Sequence, residues 1–181
     1  MTKLVLTAVG DDRPGLVAAL TTALAQVDGN WLESELSTLA GKFAGIALVE
    51  APDADALHTA LARLCADGRL TVTLGPAESG AGATSGARLH VFVIGNDRPG
   101  ILREVSGALA SRGVMIERLE TSTRHAPMID GLLFEADADV RLPDGVSLAE
   151  VRAALEGLSS ELVVDLEFPD EDEAPNRGLD A

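Results

Sequence analysis

The sequence Gly-Asn-Asp-Arg-Pro-Gly-Ile at residues 95–101 nearly repeats the sequence Gly-Asp-Asp-Arg-Pro-Gly-Leu at residues 10–16. An apolar run precedes each copy, at residues 3–9 and 89–94, and apolar residues at helical spacing follow it. A strand, a tight turn and a helix are therefore predicted twice. The chain contains one module in two copies.

Proline and glycine set the expected conformation of this turn. Pro14 and Pro99 are predicted to occupy the first position of each helix, because proline fixes φ near the helical value and lacks an N–H that the first turn could not use. Gly15 and Gly100 follow without a Cβ, which allows close approach by a ligand. The backbone N–H groups expected to be unpaired and open to it are those of residues 15, 16, 100 and 101. Such a helix start attracts an anion. The same residues could also serve only as a turn and a helix cap.

Each module is predicted to contain six elements in the order strand, helix, strand, strand, helix, strand. In the first module, Gly41 divides a hairpin, and the strands are predicted at residues 3–9, 30–39, 43–50 and 70–74. In the second module, Ser147 and Glu150 have the spacing of a capping box ahead of the second helix. Its strands are predicted up to residue 94 and at residues 114–123, 129–138 and 162–168, with a turn at residues 124–130.

This order predicts an α+β fold with two ferredoxin-like βαββαβ domains, each a four-stranded antiparallel sheet with two helices on one face. The predicted boundaries are residues 1–75 for the first domain and 87–168 for the second. Residues 76–86, composed mostly of Gly, Ala, Ser and Thr, are predicted to form a flexible linker. Residues 169–181 are predicted to form an acidic disordered tail.

The face of each sheet that the helices do not cover is expected to need a partner. The first strand of each module carries apolar residues on both sides, so pairing through sheet edges or faces is expected, either within the chain or between copies of it. The alternative is that a central strand is apolar on both sides without any partner.

Composition limits the function. The net charge is −15, with 14 Lys and Arg against 29 Asp and Glu, so no basic patch is expected to bind nucleic acid directly. No apolar run approaches the roughly 18 residues that a membrane helix requires, and the first residues do not resemble a signal peptide. We therefore expect a cytoplasmic protein that does not bind membranes.

The residues predict no catalytic centre and no cofactor. His58, His90 and His125 fall in a predicted helix, strand and turn without a metal-ligand spacing. The single cysteine, Cys65, follows the apolar face of a helix and is expected to be part of the core. The acidic residues of the second strands could suggest a cation site, but a solvated strand face explains them better: Glu33, Glu35, Glu117 and Glu120.

Two copies of Asp-Arg-Pro-Gly between a strand and a helix, in modules of this length and order, resemble ACT domains, which are small ligand-sensing modules. A tandem pair over residues 3–168 is most similar to the glycine cleavage system transcriptional repressor group. The resemblance implies an allosteric role without chemistry, in which an amino acid binds between paired ACT domains and changes the behaviour of a partner.

The resemblance also implies the residues of a ligand site. Backbone N–H groups at the turn and a polar residue at the start of the second strand would hold the ligand's charged groups. The implied positions are Asp12, Gly15, Leu16 and Asn30 in the first copy, and Asp97, Gly100 and Ile101 in the second. Met115 stands where the second copy would need its polar residue, and a thioether cannot replace an amide there.

Two functions remain as hypotheses. The first is a regulatory protein that senses a glycine-like amino acid and modulates a transcription factor or metabolic enzyme; the turn and Asn30 favour it. The second is an interaction adaptor without a ligand, which Met115 and the paired Asp12 and Asp97 favour. A regulatory piece of an enzyme such as formyltetrahydrofolate deformylase is a weaker hypothesis, because no catalytic set is recognised.

Overall fold

The computed structural model of the chain describes residues 1–77, 86–125, 131–158 and 162–168. The chain divides into two compact units, Met1–Ala81 and Gly82–Ala181. In the part of the chain that the structure describes, each unit has one antiparallel four-stranded sheet and two helices, so the predicted α+β fold is confirmed for both modules.

The first unit has its elements in the predicted order. They are β1 (Thr2–Asp11), α1 (Leu16–Ala25), β2 (Asn30–Leu39), β3 (Lys42–Ala51), α2 (Ala54–Leu64) and β4 (Leu70–Pro76). The strands lie in the order β2-β3-β1-β4, which places the first strand at the centre of the sheet.

The core of the first unit lies between the sheet and its two helices. Alternate residues of β1 and β3 point into it because successive side chains of a strand face opposite sides. Leu16, Leu20 and Leu24 of α1 and Leu57 and Leu61 of α2 cover them from the other layer. The face of the sheet opposite the helices is called the open face below.

The second unit repeats this arrangement. Its elements are β5 (Arg88–Asn96), α3 (Ile101–Ala110), β6 (Met115–His125), β7 (Leu132–Arg141), α4 (Leu148–Glu156) and β8 (Val163–Glu167). The strand order is β6-β7-β5-β8. Its core is formed by the inward residues of β5 and β7 with the apolar faces of α3 and α4.

Several strands, among them β6, extend further than the sequence pattern predicts, whereas β8 is one residue shorter at each end. The predicted turn at residues 124–130 is wrong at its start, because Arg124 and His125 still belong to β6 and pair with Leu133 and Leu132. Backbone pairing across the hairpin holds these residues extended. Residues 126–130 of the predicted turn and strand lie outside the described residues.

The predicted linker and tail lie mostly outside the described residues as well. The linker was predicted from residue 76, but Pro76 belongs to β4 opposite Leu4, and the N–H of Ala77 donates to the Lys3 oxygen at 3.1 Å. These contacts keep the start of the predicted linker attached to the edge of the first sheet. Residues 78–85 and 169–181 are not described.

The second helix of each unit begins at a side-chain cap. Asp53 accepts from the N–H groups of Asp55 and Ala56 at the start of α2. Ser147 and Glu150 form the predicted capping box at the start of α4, which is confirmed by the reciprocal bonds between them.

Candidate ligand-binding site

The repeated turn places glycine, not proline, immediately before the helix. Gly15 has φ 90° and ψ 4°, and Gly100 has φ 91° and ψ 0°. These values match the third residue of a type II turn, in which proline favours the second position. The helices begin at Leu16 and Ile101, so the prediction that Pro14 and Pro99 start them is wrong.

The type II turn uses one of the N–H groups expected to be open. The N–H of Ile101 donates to the Arg98 oxygen at 3.3 Å across the turn. The prediction that this N–H is open to a ligand is therefore wrong. The first backbone bonds within the helices run from Ala19 to the Gly15 oxygen, at 2.8 Å, and from Glu104 to the Gly100 oxygen, at 3.0 Å. The backbone around both glycines remains accessible: a Cβ built on Gly15 meets nothing within 4 Å, and one on Gly100 meets only Arg103, at 3.9 Å.

Backbone hydrogen bonds hold the aspartate that precedes each turn in place. The N–H of Asp12 donates to the Gly41 oxygen at 3.0 Å, and that of Asp97 donates to the Leu132 oxygen at 2.8 Å. Each bond ties the turn to the neighbouring hairpin of its own sheet. The carboxylate of Asp12 is exposed and lies on the surface beside the turn.

Asn30 lies at the opposite end of the sheet from the turn of its own unit. It pairs with Glu50, which pairs with Lys3 near the start of β1, whereas the turn follows Asp11 at the end of β1. Eight strand residues at about 3.3 Å each separate these levels by about 26 Å. Within the first unit, therefore, the structure does not bring Asn30 together with Asp12, Gly15 and Leu16.

The second unit has the same separation. Met115 pairs with Arg141, which pairs with Arg88 at the start of β5, while the turn follows Asn96 at its end. Asp97, Gly100 and Ile101 thus form one cluster in this unit, and Met115 lies at the far end of the sheet. A single site that includes a turn and a second-strand residue requires contributions from two modules.

The charge beside the turn differs between the units. In the second unit Arg98 donates to Glu104 in the first turn of α3, with Nη1 3.0 Å from Oε1, and this bond holds the pKa of Glu104 below its usual value. Position 19 of the first unit corresponds to Glu104 and holds alanine, and the first turn of α1 contains no acidic residue. Arg13 instead reaches Asp67, with Nη1 3.5 Å from Oδ2. This difference between Ala19 and Glu104 is visible in an alignment of the two copies, but it formed no part of the site predicted from the sequence.

A small cavity lies elsewhere in the first unit, between α2 and β4. Its volume is about 180 Å³, and its lining is His58, Leu61, Ala62, Cys65, Val72 and Leu74. Cys65 lies at the end of α2, where it borders this cavity and is half-buried. It was predicted to be part of the core, but the core does not fully enclose it. In the second unit, the Arg152 guanidinium spans the equivalent place and donates to the Val164 oxygen at 3.1 Å.

The acidic residues of the second strands do not assemble a metal site within the described residues. No group of three His, Cys, Asp or Glu side chains there could hold a metal ion. Glu117 instead forms ion pairs with Arg88, at 3.3 Å, and with Arg141. Glu120 forms an ion pair with Arg118.

Among the described residues, no helix has the length and apolar character needed to cross a membrane.

The fold and the duplicated turn identify the family. Models of the ACT domain match residues 2–74 and 90–159, so the chain belongs to the ACT-domain family and consists largely of two ACT domains. The predicted tandem ACT architecture is confirmed. Comparison with curated protein sequences finds no match.

Two solved structures are similar over nearly the whole chain. The crystal structure of an unknown protein from Galdieria sulphuraria has a TM-score of 0.82 and 30% sequence identity, with 93% of this chain and 98% of that chain covered. The crystal structure of a putative glycine cleavage system transcriptional repressor has a TM-score of 0.69 and 22% identity, covering 93% and 97%. The second likeness, at this identity, is one of fold.

Proposed function

We propose that this chain is a non-enzymatic regulatory protein of the cytoplasm that binds a small amino acid and thereby modulates a partner protein in transcriptional or metabolic control. The acidic net charge favours control through a protein partner over direct contact with nucleic acid. ACT domains are regulatory modules that generally bind amino acids, which supports the ligand class.

The observation that carries the proposal is the accessible turn of the first unit. Gly15 has open space where a side chain would stand, and the α1 helix begins directly after it without an acidic residue in its first turn. The positive end of the helix dipole is therefore available to a carboxylate. The exposed carboxylate of Asp12 beside it would face the ammonium group.

Asn30 completes this site only from a second module. Its separation from its own turn excludes one-module binding, whereas two modules paired in antiparallel fashion along β2 would place Asn30 of one near the turn end of the other. The ligand would then bind at the interface and favour the paired state. A change in ligand concentration would therefore change the fraction of paired modules, to which a partner protein would respond.

The second unit is the weaker candidate for the same role. Glu104 lies in the first turn of α3, where its carboxylate complements the helix dipole and repels a ligand carboxylate. Met115 offers no amide at the other half of the site. We therefore assign the ligand mainly to the turn of the first unit and to Asn30. Asp97 and Gly100 contribute less, and the N–H of Ile101 is already bonded within its turn.

Thermal denaturation of the full chain with each of the twenty amino acids is the first test, because a ligand that binds only the folded state raises Tm. Calorimetric titration of the stabilising amino acid then compares Asn30→Ala with Met115→Ala. Loss of an amide contact should cost about 0.5–1.5 kcal/mol, or up to about tenfold in affinity, at Asn30 only. Equal losses at both positions would contradict the assignment.

The adaptor hypothesis has its own supporting observation. Glu104 and Met115 remove both halves of the ligand site from the second unit, and an ACT domain without a ligand still presents surfaces for interaction. If none of the twenty amino acids changes Tm, the adaptor becomes the better function.

A further inference from the structure

The open faces of the two sheets differ at three successive outward positions of one central strand. In the first unit β3 places Ala44, Ile46 and Leu48 there, beside residues 9, 7 and 5 of β1. In the second unit β7 places Glu135, Asp137 and Asp139 there, beside residues 94, 92 and 90 of β5. The two copies of one fold thus present an apolar strip in one case and a row of carboxylates in the other.

The apolar strip of the first unit continues onto β1. Val9 is 55% exposed and Ile46 is 50% exposed, although both lie on central strands of the sheet. Val5 and Leu48 are half-buried beside them, and the hydroxyls of Thr7 and Thr73 bond each other at 2.5 Å. Large apolar side chains grouped at the middle of a sheet and left in water are typical of an interaction surface.

The carboxylates of the second unit are paired within their own open face. His90 lies between Asp139, at 3.1 Å from Nδ1, and Asp137, at 3.5 Å from Nε2. Arg124 Nε donates to Glu135 at 2.7 Å. A face with this many charged groups would lose their hydration if it were covered by an apolar surface. It is therefore a poor match for the apolar strip of the first unit.

We propose that the open face of the first unit is the contact surface for a second copy of this chain, with the two first-unit sheets stacked face to face. The open face of the second unit carries Phe92 and Ile94 on β5 but charged side chains along β7, whereas that of the first unit is apolar along most of both central strands. The charges at one end of this face are paired, because Lys42 and Asp11 form an ion pair between β3 and β1. This inference does not depend on amino-acid binding.

Symmetry gives the stacked sheets a defined register. A two-fold axis parallel to the strands places β1 of one copy over β3 of the other, so the apolar strips cover each other. The same axis places Glu33 and Glu35 of β2 over Gly75 and Thr73 of β4, which avoids contact between like charges. Both strips are then desolvated, while Glu35 faces the hydroxyl of Thr73 and Glu33 faces a glycine.

The area is sufficient for a specific dimer. Strands of ten residues are about 33 Å long and four strands about 19 Å wide, so one face covers about 600 Å² and a stacked pair buries about 1,200 Å². Stable interfaces bury about 1,200–2,000 Å² in total. The face therefore reaches the lower end of that range, and we expect a dimer that dissociates on dilution.

Sedimentation equilibrium of the full chain over a concentration series tests the proposal, with Ile46→Asp as the variant because the second unit has Asp137 at the same position. A buried unpaired carboxylate should raise the dimer Kd by at least about a hundredfold. The matched control is Val163→Asp, which replaces a residue 64% exposed on the open face of the second sheet and should leave the Kd unchanged.

A second measurement keeps the test valid if Ile46→Asp unfolds the first unit. Val9→Cys in a Cys65→Ala background should form covalent dimers with a short bismaleimide, whereas Val163→Cys in the same background should not. A wild type that is monomeric throughout the series would overturn the proposal. So would a dimer that folded Ile46→Asp leaves intact, because its contact would then lie elsewhere.

Discussion

Asp28 and Gly113 hold the same left-handed backbone position at the ends of α1 and α3, with φ of 54° and 68°. In both units the next residue donates back to the helix, from Gly29 to the Leu24 oxygen at 3.0 Å and from Val114 to the Leu109 oxygen at 3.1 Å. The hydrogen bonds are the same, but the first unit bears the cost of a side chain at positive φ. Duplication thus provides a natural comparison for each module.

Exchanging these two residues should change stability in opposite directions. Asp28→Gly should stabilise the first unit by about 0.5–1 kcal/mol, since glycine adopts positive φ without steric cost. Gly113→Asp should destabilise the second unit by a similar amount, because a Cβ there makes only an ordinary contact with Pro143, at 3.6 Å, and the backbone conformation alone opposes it. Urea denaturation of each variant measures the change. Stabilisation by Asp28→Ala would contradict this reasoning.

The hairpin of the first unit allows a second stabilising substitution. Ala40 and Gly41 connect β2 to β3 with φ of 50° and 76°, the signs of a type I′ turn, for which Asn-Gly is preferred. Ala40→Asn should therefore raise the free energy of unfolding by about 0.5–1 kcal/mol. Ala40→Val is the control and should lower it, because a β-branched residue tolerates this region least. Both are measured by thermal and urea denaturation.

Much of the fold could be predicted because it is encoded locally. Apolar periodicity and the turn residues specify each strand and helix, and the capping box marks the start of α4 before any tertiary contact is known. The start of α1 could not be assigned in this way. Pro14 has nearly the same φ in a type II turn and in a helix, and it is the positive φ of Gly15 that separates the two.

The stability of the second unit should depend on pH through Glu150. The Ser147 N–H and hydroxyl both bond this carboxylate and hold its pKa below the usual 4.5. The stabilisation is therefore complete at neutral pH and is lost as pH falls from about 4.5 through the lowered folded pKa. We expect Tm of wild type to exceed that of Glu150→Gln at pH 7, with the gap closing toward pH 3. In a Ser147→Ala background the gap at pH 7 should shrink only in part, because the backbone N–H at position 147, the larger cause of the lowered pKa, still bonds the carboxylate.

The site was less predictable than the fold because it depends on where strands begin and end in space. Asn30 and Gly15 are close in sequence, yet α1 returns the chain to the start of the sheet, so β2 begins far from the turn. Chain direction alone would have revealed this separation. The contrast between Ile46 and Asp137 needed more, since their equivalence follows only from the strand register.

The first unit should bind the ligand because the first turn of α1 contains no acidic residue. Ala19→Glu would introduce the carboxylate that Glu104 supplies in the second unit, where Arg98 binds it. The new carboxylate would compete for Arg13 and for the positive end of α1, so the affinity for a stabilising amino acid should fall by about tenfold, equal to about 1.4 kcal/mol. Ala19→Gln is the matched control: it has the same shape without the charge, and it should bind almost as the wild type does. Calorimetric titration of the three proteins in low salt measures the difference. Equal affinity of Ala19→Glu and Ala19→Gln would show that the ligand's carboxylate does not lie at the start of α1.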